Sequence, residues 1–377
     1  MMRWGVPLAL LCTGAALQAQ TPAPAAPDIA WQTCTTLAAD RDARLACFDR
    51  WALRQGAAPV PAQPATPVPP TPVDASLPAT RVIAVATEEG CRDRQYSDLS
   101  RFWELESGSD CGTFGIRGYR PISLSLIGSD GVNTQPSSAN PLNTASSAQP
   151  FRRTETRIQL SVRTKIAQGL LTQGHPTLKD SLWFGYSQQS YWQLFTPQIS
   201  RPFRVTDHEP EVVYVYPTDA QLPGGWRWRY SGLGLVHQSN GQSLPLSRSW
   251  NRVYLMTGLE KDSCLRLQAR VWQRVPEKAA NDDNPDISSF VGRAELAAFW
   301  NPNADNTLGL TLRHALARPG RGSARLEWLQ TLGSGEGGHT RSSLRLHTQL
   351  FSGYGDSLLD YNRRRTVFSI GLSLVDF

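Results

Sequence analysis

Residues 237 to 252 read HQSNGQSLPLSRSWNR and bring an imidazole, a hydroxyl and an amide close together. In a β-strand, residues i and i+2 share a face about 6.5–7 Å apart, so His237 can lean onto the hydroxyl of Ser239. Asn251 follows about a dozen residues later, where an antiparallel hairpin returns it opposite His237 on the same surface. Ser239, His237 and Asn251 would then serve as nucleophile, general base and the group that orients the base, the equipment of acyl transfer through serine. The spacing alone does not establish this. A His-x-Ser pair in an exposed strand is usually coincidence, and Asn240-Gly241 is an ordinary turn signal.

The elements that must carry these residues alternate with period 2. Leu233, Leu235, His237 and Ser239 fall on one face of their segment. In CLRLQARVW, Leu265, Leu267, Ala269 and Val271 face one way while Arg266, Gln268 and Arg270 face the other. TRIQLSVRTKIA, SLWFGYSQQS, SARLEWLQTLGS, SSLRLHTQLFSG and RTVFSIGLSLVDF repeat the pattern between turn-rich stretches. A soluble β-sandwich also alternates. An export leader, aromatic residues near strand ends and a final alternating segment ending in Phe377 favour a membrane β-barrel instead. At roughly 20 residues per strand with its connection, residues 112–377 hold about a dozen strands, an even number in such barrels.

The chain before residue 112 divides by composition. Residues 1–19, with a basic start, a short apolar run and Ala19 at a natural cleavage position, read as a signal peptide, the mature chain beginning at about Gln20. Cys12 leaves with it. Residues 20–55 show helical spacing around Cys34 and Cys47 and predict a small hairpin stapled by a disulfide, because an exported chain meets an oxidising compartment. Residues 56–80 are mostly Pro, Ala, Thr and Val, an extended spacer, and 81–111 form a periplasmic lead-in to the barrel. Cys91–Cys111 is the second economical pairing, leaving Cys264 free. Mean hydropathy is −0.35, which argues against a helical membrane protein. The formal net charge of +6 suits phosphate-bearing lipid; no nucleic-acid module accompanies it.

His237, Ser239, Asn240, Gly241, Ser247, Arg248, Ser249, Trp250, Asn251 and Arg252, together with YSQQSYWQL, RPFRVTDHEPE, NDDNPDI and FSGYGDSLLDYN in that order, resemble the signature of the outer-membrane phospholipase A family. The resemblance covers about residues 112–377. It implies a twelve-stranded antiparallel transmembrane barrel that hydrolyses acyl esters of phospholipids and lysophospholipids, depends on Ca2+, and acts as a homodimer in the outer membrane. It further implies Ser239 as nucleophile, His237 as base and then acid, Asn251 as orienter, and the Gly241 N–H in the oxyanion hole. By the same resemblance the Gln242 carbonyl and Ser247 hydroxyl are calcium ligands, the Ser200 carbonyl reaches that ion from a second copy, and Gln188 pairs with itself across the dimer. Gln188 shares the outward parity of Leu182, Phe184 and Tyr186, so a residue at the barrel rim is the alternative.

One departure matters. Leu244 stands where better-known members carry an acid, which puts in doubt a second calcium position shared with Asp283. Asp282, Asp283 and Asp286 lack the glycine and distal glutamate of an EF-hand loop, and read as either a solvated turn or a weak calcium site. His208 has no evident catalytic role beside EPE, while His175, His314, His339 and His347 read as loop or strand residues. GSGEGG near residue 335 is a flexible loop and not a nucleotide cradle, since no strand-to-helix context surrounds it. Two rivals remain: a catalytically silent porin-like barrel, which would conduct solutes without ester turnover, and a soluble β-sandwich, which would not partition into detergent.

Overall fold

The computed structural model describes residues 31–37, 40–55, 90–262, 264–333 and 344–374. The leader at 1–19, the spacer at 56–80, most of the GSGEGG loop, His339 and Phe377 lie outside the described residues. The chain splits into two compact units, with the boundary between Val82 and Ile83.

In the first unit, α1 (Trp31–Thr35) and α2 (Arg41–Gln55) are joined by the Cys34–Cys47 disulfide, both cysteines buried. The Asp40 carboxylate accepts from the N–H groups of Asp42 and Ala43 at 3.1 and 3.0 Å. It thereby satisfies donors that the first turn of α2 would leave unpaired.

The second unit begins with α3 (Asp98–Trp103) and continues as strands: β1 (Ile116–Gly118), β2 (Ile122–Ser129), β3 (Thr154–Gln168), β4 (Ser181–Trp192), β5 (Val205–Leu222), β6 (Trp226–Ser239), β7 (Ser249–Lys261), β8 (Leu265–Arg274), β9 (Ala294–Asn303), β10 (Asn306–His314), β11 (Gly322–Thr331), β12 (Leu344–Gly353) and β13 (Arg365–Leu374). Every pairing is antiparallel and, apart from β1 with β3, joins chain neighbours until β13 returns to β2, with Leu374 opposite Ile122. Both β1 and β2 pair with β3, along residues 162–164 and 154–159 respectively. They are two pieces of one first strand, interrupted before Pro121, which has no N–H to give to a ladder. The ring from β2 to β13 therefore closes as the expected twelve-stranded barrel, and closure leaves no unpaired edge.

The burial pattern inverts that of a soluble sandwich. Leu124, Leu126, Leu233, Leu235, Leu255, Leu326 and Ile370 are exposed on the outer wall, while Arg157, Lys165, Arg229, Arg248 and Arg365 rank among the largest fully buried side chains. An apolar outside around a polar inside requires lipid as the surrounding solvent. The interior holds a cavity of about 660 Å³, lined in part by Arg270, Arg313, Glu295, Glu327 and His347. Arg313 pairs with Glu295 at 2.7 Å and His347 with Glu327 at 3.1 Å. Trp228, Trp300 and Trp328 stand on the outer wall near one end, where indole rings suit the membrane interface.

That end carries the tight turns 223–225 and 304–305 and one longer connection at 169–180; the opposite end carries the long connections 130–153, 193–204, 275–293 and 354–364. In outer-membrane barrels the long loops face outward and the short turns face the periplasm. Of the expected lead-in at 81–111, the described residues 90–111 lie in the same compact unit as the barrel and fill its short-turn end. Ser97 caps α3, and Trp103 packs edge-on against Trp183 and Tyr230, both at 5.8 Å. Glu104 accepts from Lys165 at 2.6 Å, and Cys91–Cys111 closes the segment. Cys264 is free.

Candidate active site

Strands β6 and β7 form the hairpin that carries the catalytic candidates at the long-loop end. The register places His237 opposite Asn251 and Ser239 opposite Ser249. Inward residues steady the pair from behind. The Tyr254 ring covers Gly234, where a Cβ would collide with it, and Trp250 is fully buried, with its indole N–H bonded to Gln238 Oε1 at 2.9 Å. On the outer face Leu233, Leu235 and His237 are exposed, Leu235 by 59%, while Ser239 and Asn251 are half-buried.

His237 Nδ1 lies 2.8 Å from Asn251 Oδ1. The Asn251 side-chain N–H then donates to Glu277 Oε1 at 3.1 Å, a contact that strand periodicity does not encode. Glu277 stands three residues beyond the end of β8, and partial burial pushes its carboxyl up from the ordinary value. No hydrogen bond joins Ser239 Oγ to His237 among the described residues; the two are neighbours by strand parity, and such contacts commonly tighten only when substrate is bound.

After Ser239 the chain turns at Gly241, whose φ of +62° is the left-handed conformation that favours glycine. Asn240 sets the loop. Its Oδ1 accepts from the N–H groups of Arg248 and Gln242 at 2.9 and 3.3 Å, and its Nδ2 donates to the Leu246 carbonyl at 2.7 Å. The Asn-Gly turn signal thus has an internal scaffold, held by one buried asparagine. His208 enters the site from β5, opposite Ser239 in register, and its ring lies 3.7 Å from where a Gly241 Cβ would be. Tyr186 OH holds His208 Nδ1 at 2.7 Å and donates to Gln188 Oε1 at 3.1 Å. Gln188 is on the outer wall directly across from His208, so Gln188, His208 and Ser239 form one row over three strands.

Of the candidate metal ligands, Ser247 and Asp283 come together, steadied by Asn143 and Ser249. Ser247 Oγ donates to Asp283 Oδ2 at 2.7 Å, Ser249 Oγ donates to the same oxygen at 3.2 Å, and Asn143 Nδ2 donates to Asp283 Oδ1 at 3.0 Å. Asp283 thus stands beside Ser247, whereas Leu244 is 59% exposed. The DDNPD run is not a solvated turn. Asn284 and Asp282 are buried, Asp282 pairs with Arg274 at 2.5 Å, and Asp286 accepts from Tyr361 OH at 2.6 Å. The Gln242 side chain donates to the Arg204 carbonyl at 3.0 Å, while its oxygen is buried with no hydrogen-bond partner. The Ser200 carbonyl accepts from the Trp192 indole at 2.6 Å and lies outside this cluster of contacts. Among the remaining histidines, His175 and His314 accept from nearby backbone N–H groups in turns, and His347 faces the interior.

Residues 99–374 match the family model described as phospholipase A1. A phospholipase A1 of Klebsiella pneumoniae is 34% identical over 232 residues, spanning 61% of this chain and 73% of the relative. The structure of outer membrane phospholipase A from Escherichia coli superposes with a TM-score of 0.60 at 30% identity, covering 71% of this chain and 94% of the other. That of the Salmonella typhi outer membrane phospholipase, a dimer with bound calcium, gives 0.59 at 29% identity, covering 70% and 93%.

Proposed function

This chain belongs to the phospholipase A1 family, outer-membrane β-barrel enzymes, and from that premise we propose that Ser239, His237 and Asn251 perform a calcium-dependent hydrolysis of fatty acyl esters in phospholipids and lysophospholipids. The observation that carries this reading is the 2.8 Å contact of His237 Nδ1 with Asn251 Oδ1 on an outer wall of exposed leucines. A polar triad facing lipid is costly there unless its substrate is lipid.

With Nδ1 protonated toward Asn251, His237 presents the lone pair of Nε2 to the serine side. Ser239 Oγ attacks the ester carbonyl as its proton passes to Nε2. The tetrahedral intermediate collapses, the acyl–oxygen bond breaks, and His237 returns the proton to the leaving lysophospholipid alcohol. Water, deprotonated by the same imidazole, then releases the fatty acid and regenerates Ser239. The oxyanion-hole donor in this scheme is the Gly241 N–H.

The residues present fit calcium. The Ser247 hydroxyl, the Asp283 carboxylate and the Gln242 carbonyl are hard oxygen ligands, and the separate Gln242 side-chain oxygen is buried with no hydrogen-bond partner among the described residues, an acceptor a cation would serve. When bound, calcium supplies positive charge against the developing oxyanion, which a neutral asparagine cannot do from behind the histidine. In a reversible homodimer, Gln188 pairs with its counterpart and the Ser200 carbonyl of a second copy completes the ligand set. We further assign the mature N-terminal hairpin and spacer, residues 20–80, to the periplasm.

The test is acyl-ester release from phospholipid in mixed micelles, with calcium and with chelator, beside Ser239→Ala. Calcium-dependent turnover that the substitution removes is the expected result. Absence of turnover from a folded dimer would leave the porin-like reading, against which the aromatic cluster of Trp103, Trp183 and Tyr230 in the lumen already argues.

A further inference from the structure

We propose that Glu277 is a positioning residue of the hydrolytic site, its carboxylate fixing the Asn251 amide so that His237 is held in the tautomer that can accept the serine proton. The inference rests on the hydrolase reading above. Its geometry is a chain of two contacts, Glu277 Oε1 to Asn251 Nδ2 at 3.1 Å and Asn251 Oδ1 to His237 Nδ1 at 2.8 Å.

An asparagine between a histidine and solvent can turn over, because its amide presents a donor and an acceptor of nearly equal shape. If its NH2 faces the imidazole, Nδ1 must be the unprotonated nitrogen, Nε2 carries the proton, and the base is lost. An ionised carboxylate accepts and does not donate. With Glu277 on one side of Asn251, the amide must turn its NH2 toward the carboxylate and its oxygen toward His237, which then carries its proton on Nδ1. The carboxylate also places a negative charge one residue behind the imidazolium that forms during the reaction, where an asparagine alone supplies only a dipole.

The local chain is built for this reach. The Val275 N–H donates to the Asn251 carbonyl at 2.8 Å, which ties the segment beyond β8 to β7 one step after Arg274 pairs with Arg252 in register. Pro276 then restricts the backbone immediately before Glu277. The charged groups that face Glu277 are Arg274 from the end of its own strand and Asp282 and Asp283 from the loop beyond. Arg274 is engaged by Asp282 and by the Pro285 carbonyl, so Asn251 is the donor that meets Glu277 in the site.

The experiment uses the full-length protein, purified in detergent, with calcium and mixed micelles of phosphatidylcholine. Glu277→Gln keeps the shape but can rotate and donate; Glu277→Ala removes the contact. Both are expected to lower kcat roughly tenfold with KM, calcium dependence and dimer fraction unchanged. In an Asn251→Ala background, Glu277→Gln is expected to cost nothing further.

Rates within twofold of wild type for both variants would overturn the inference. So would a loss that persists undiminished in the Asn251→Ala background, or one that travels with weakened dimerisation or calcium response, since either marks a loop-packing role. Turnover by the wild type that Ser239→Ala removes, with Glu277 variants silent, would overturn this inference alone; no wild-type turnover would overturn it together with the hydrolase reading.

Discussion

At the long-loop end of the barrel, one polar cluster lies in the interior and another on the outer face of the β6–β7 hairpin. Inside, Glu155, Arg204, Asp360 and Arg365 are fully buried and bonded to one another: Arg204 to Glu155 at 2.6 Å and to Asp360 at 3.1 Å, Arg365 to Asp360 at 2.9 Å. Ser357 adds a hydrogen bond to Asp360 at 2.8 Å. Outside, His237, Asn251 and Glu277 are joined by one hydrogen bond at each step, with Ser239 next to His237 by strand parity alone. The inner cluster is a network in which each charge has several partners; the outer one is a chain in which each link has one. Redundant pairing specifies a structure, because no single bond decides any side chain's position. A linear relay leaves the reacting end free to move to substrate, and makes each link decisive for chemistry.

The contrast can be broken from either side. Ser239→Ala is expected to reduce phospholipid turnover by about 10⁴-fold or more while the barrel keeps its heat-modifiable gel mobility, since the nucleophile contributes to reaction and little to packing. Glu155→Ala should do the reverse. It strands Arg204 and Arg365 beside a missing anion, at about 3–5 kcal/mol of unfolding free energy measured by denaturant titration in detergent. Asn251→Ala is expected to lower kcat by roughly 10–100-fold with little change in that unfolding free energy, because the residue is half-buried and its loss opens no cavity. Equal stability losses for Glu155→Ala and Asn251→Ala would erase the distinction.

The smallest effect concerns the opposite end. Asp110 lies outside the membrane-spanning strands; against the desolvation that would raise it, hydrogen bonds from Lys165 and Gln168 hold its carboxyl down to about 2. A depressed carboxyl contributes stability that is present above its ordinary value of 3.8 and is lost as pH falls through about 2. Asp110→Asn is therefore expected to flatten the acid dependence of unfolding in that window, with wild type and variant converging below it, as intrinsic tryptophan fluorescence would read.

The sequence made the hairpin chemistry legible because period 2 and antiparallel return are local rules. Parity put Leu233, Leu235, His237 and Ser239 on one face, and the return brought Asn251 across. The inward direction of Arg266 and Arg270 followed from the same alternation. Three features did not follow. Glu277 reaches Asn251 from an irregular segment, whose path no periodicity encodes. His208 meets Ser239 through the β5–β6 register, which carries shifts between Pro217 and Ala220 that parity counting from one strand cannot see. The DDNPD run, which reads as either a solvated turn or a weak calcium site, has Asn284 and Asp282 buried by contacts with Ser249 and Arg274 that come from other strands, which polar composition does not encode.

The closing of β13 onto β2 carries a consequence for how the molecule is made. The contact between His237 and Asn251 spans 14 residues, whereas the bond between Arg365 and Glu155 spans 210. Contacts of short separation form first, since ordering a long loop costs more entropy before any pairing rewards it. The hydrolytic hairpin is thus available early in assembly, and the inner network only once the last strand has docked. Under the proposed dependence on a second copy, a chain still threading into the bilayer would hold its proposed nucleophile and base in place with no finished outer wall to offer a twin.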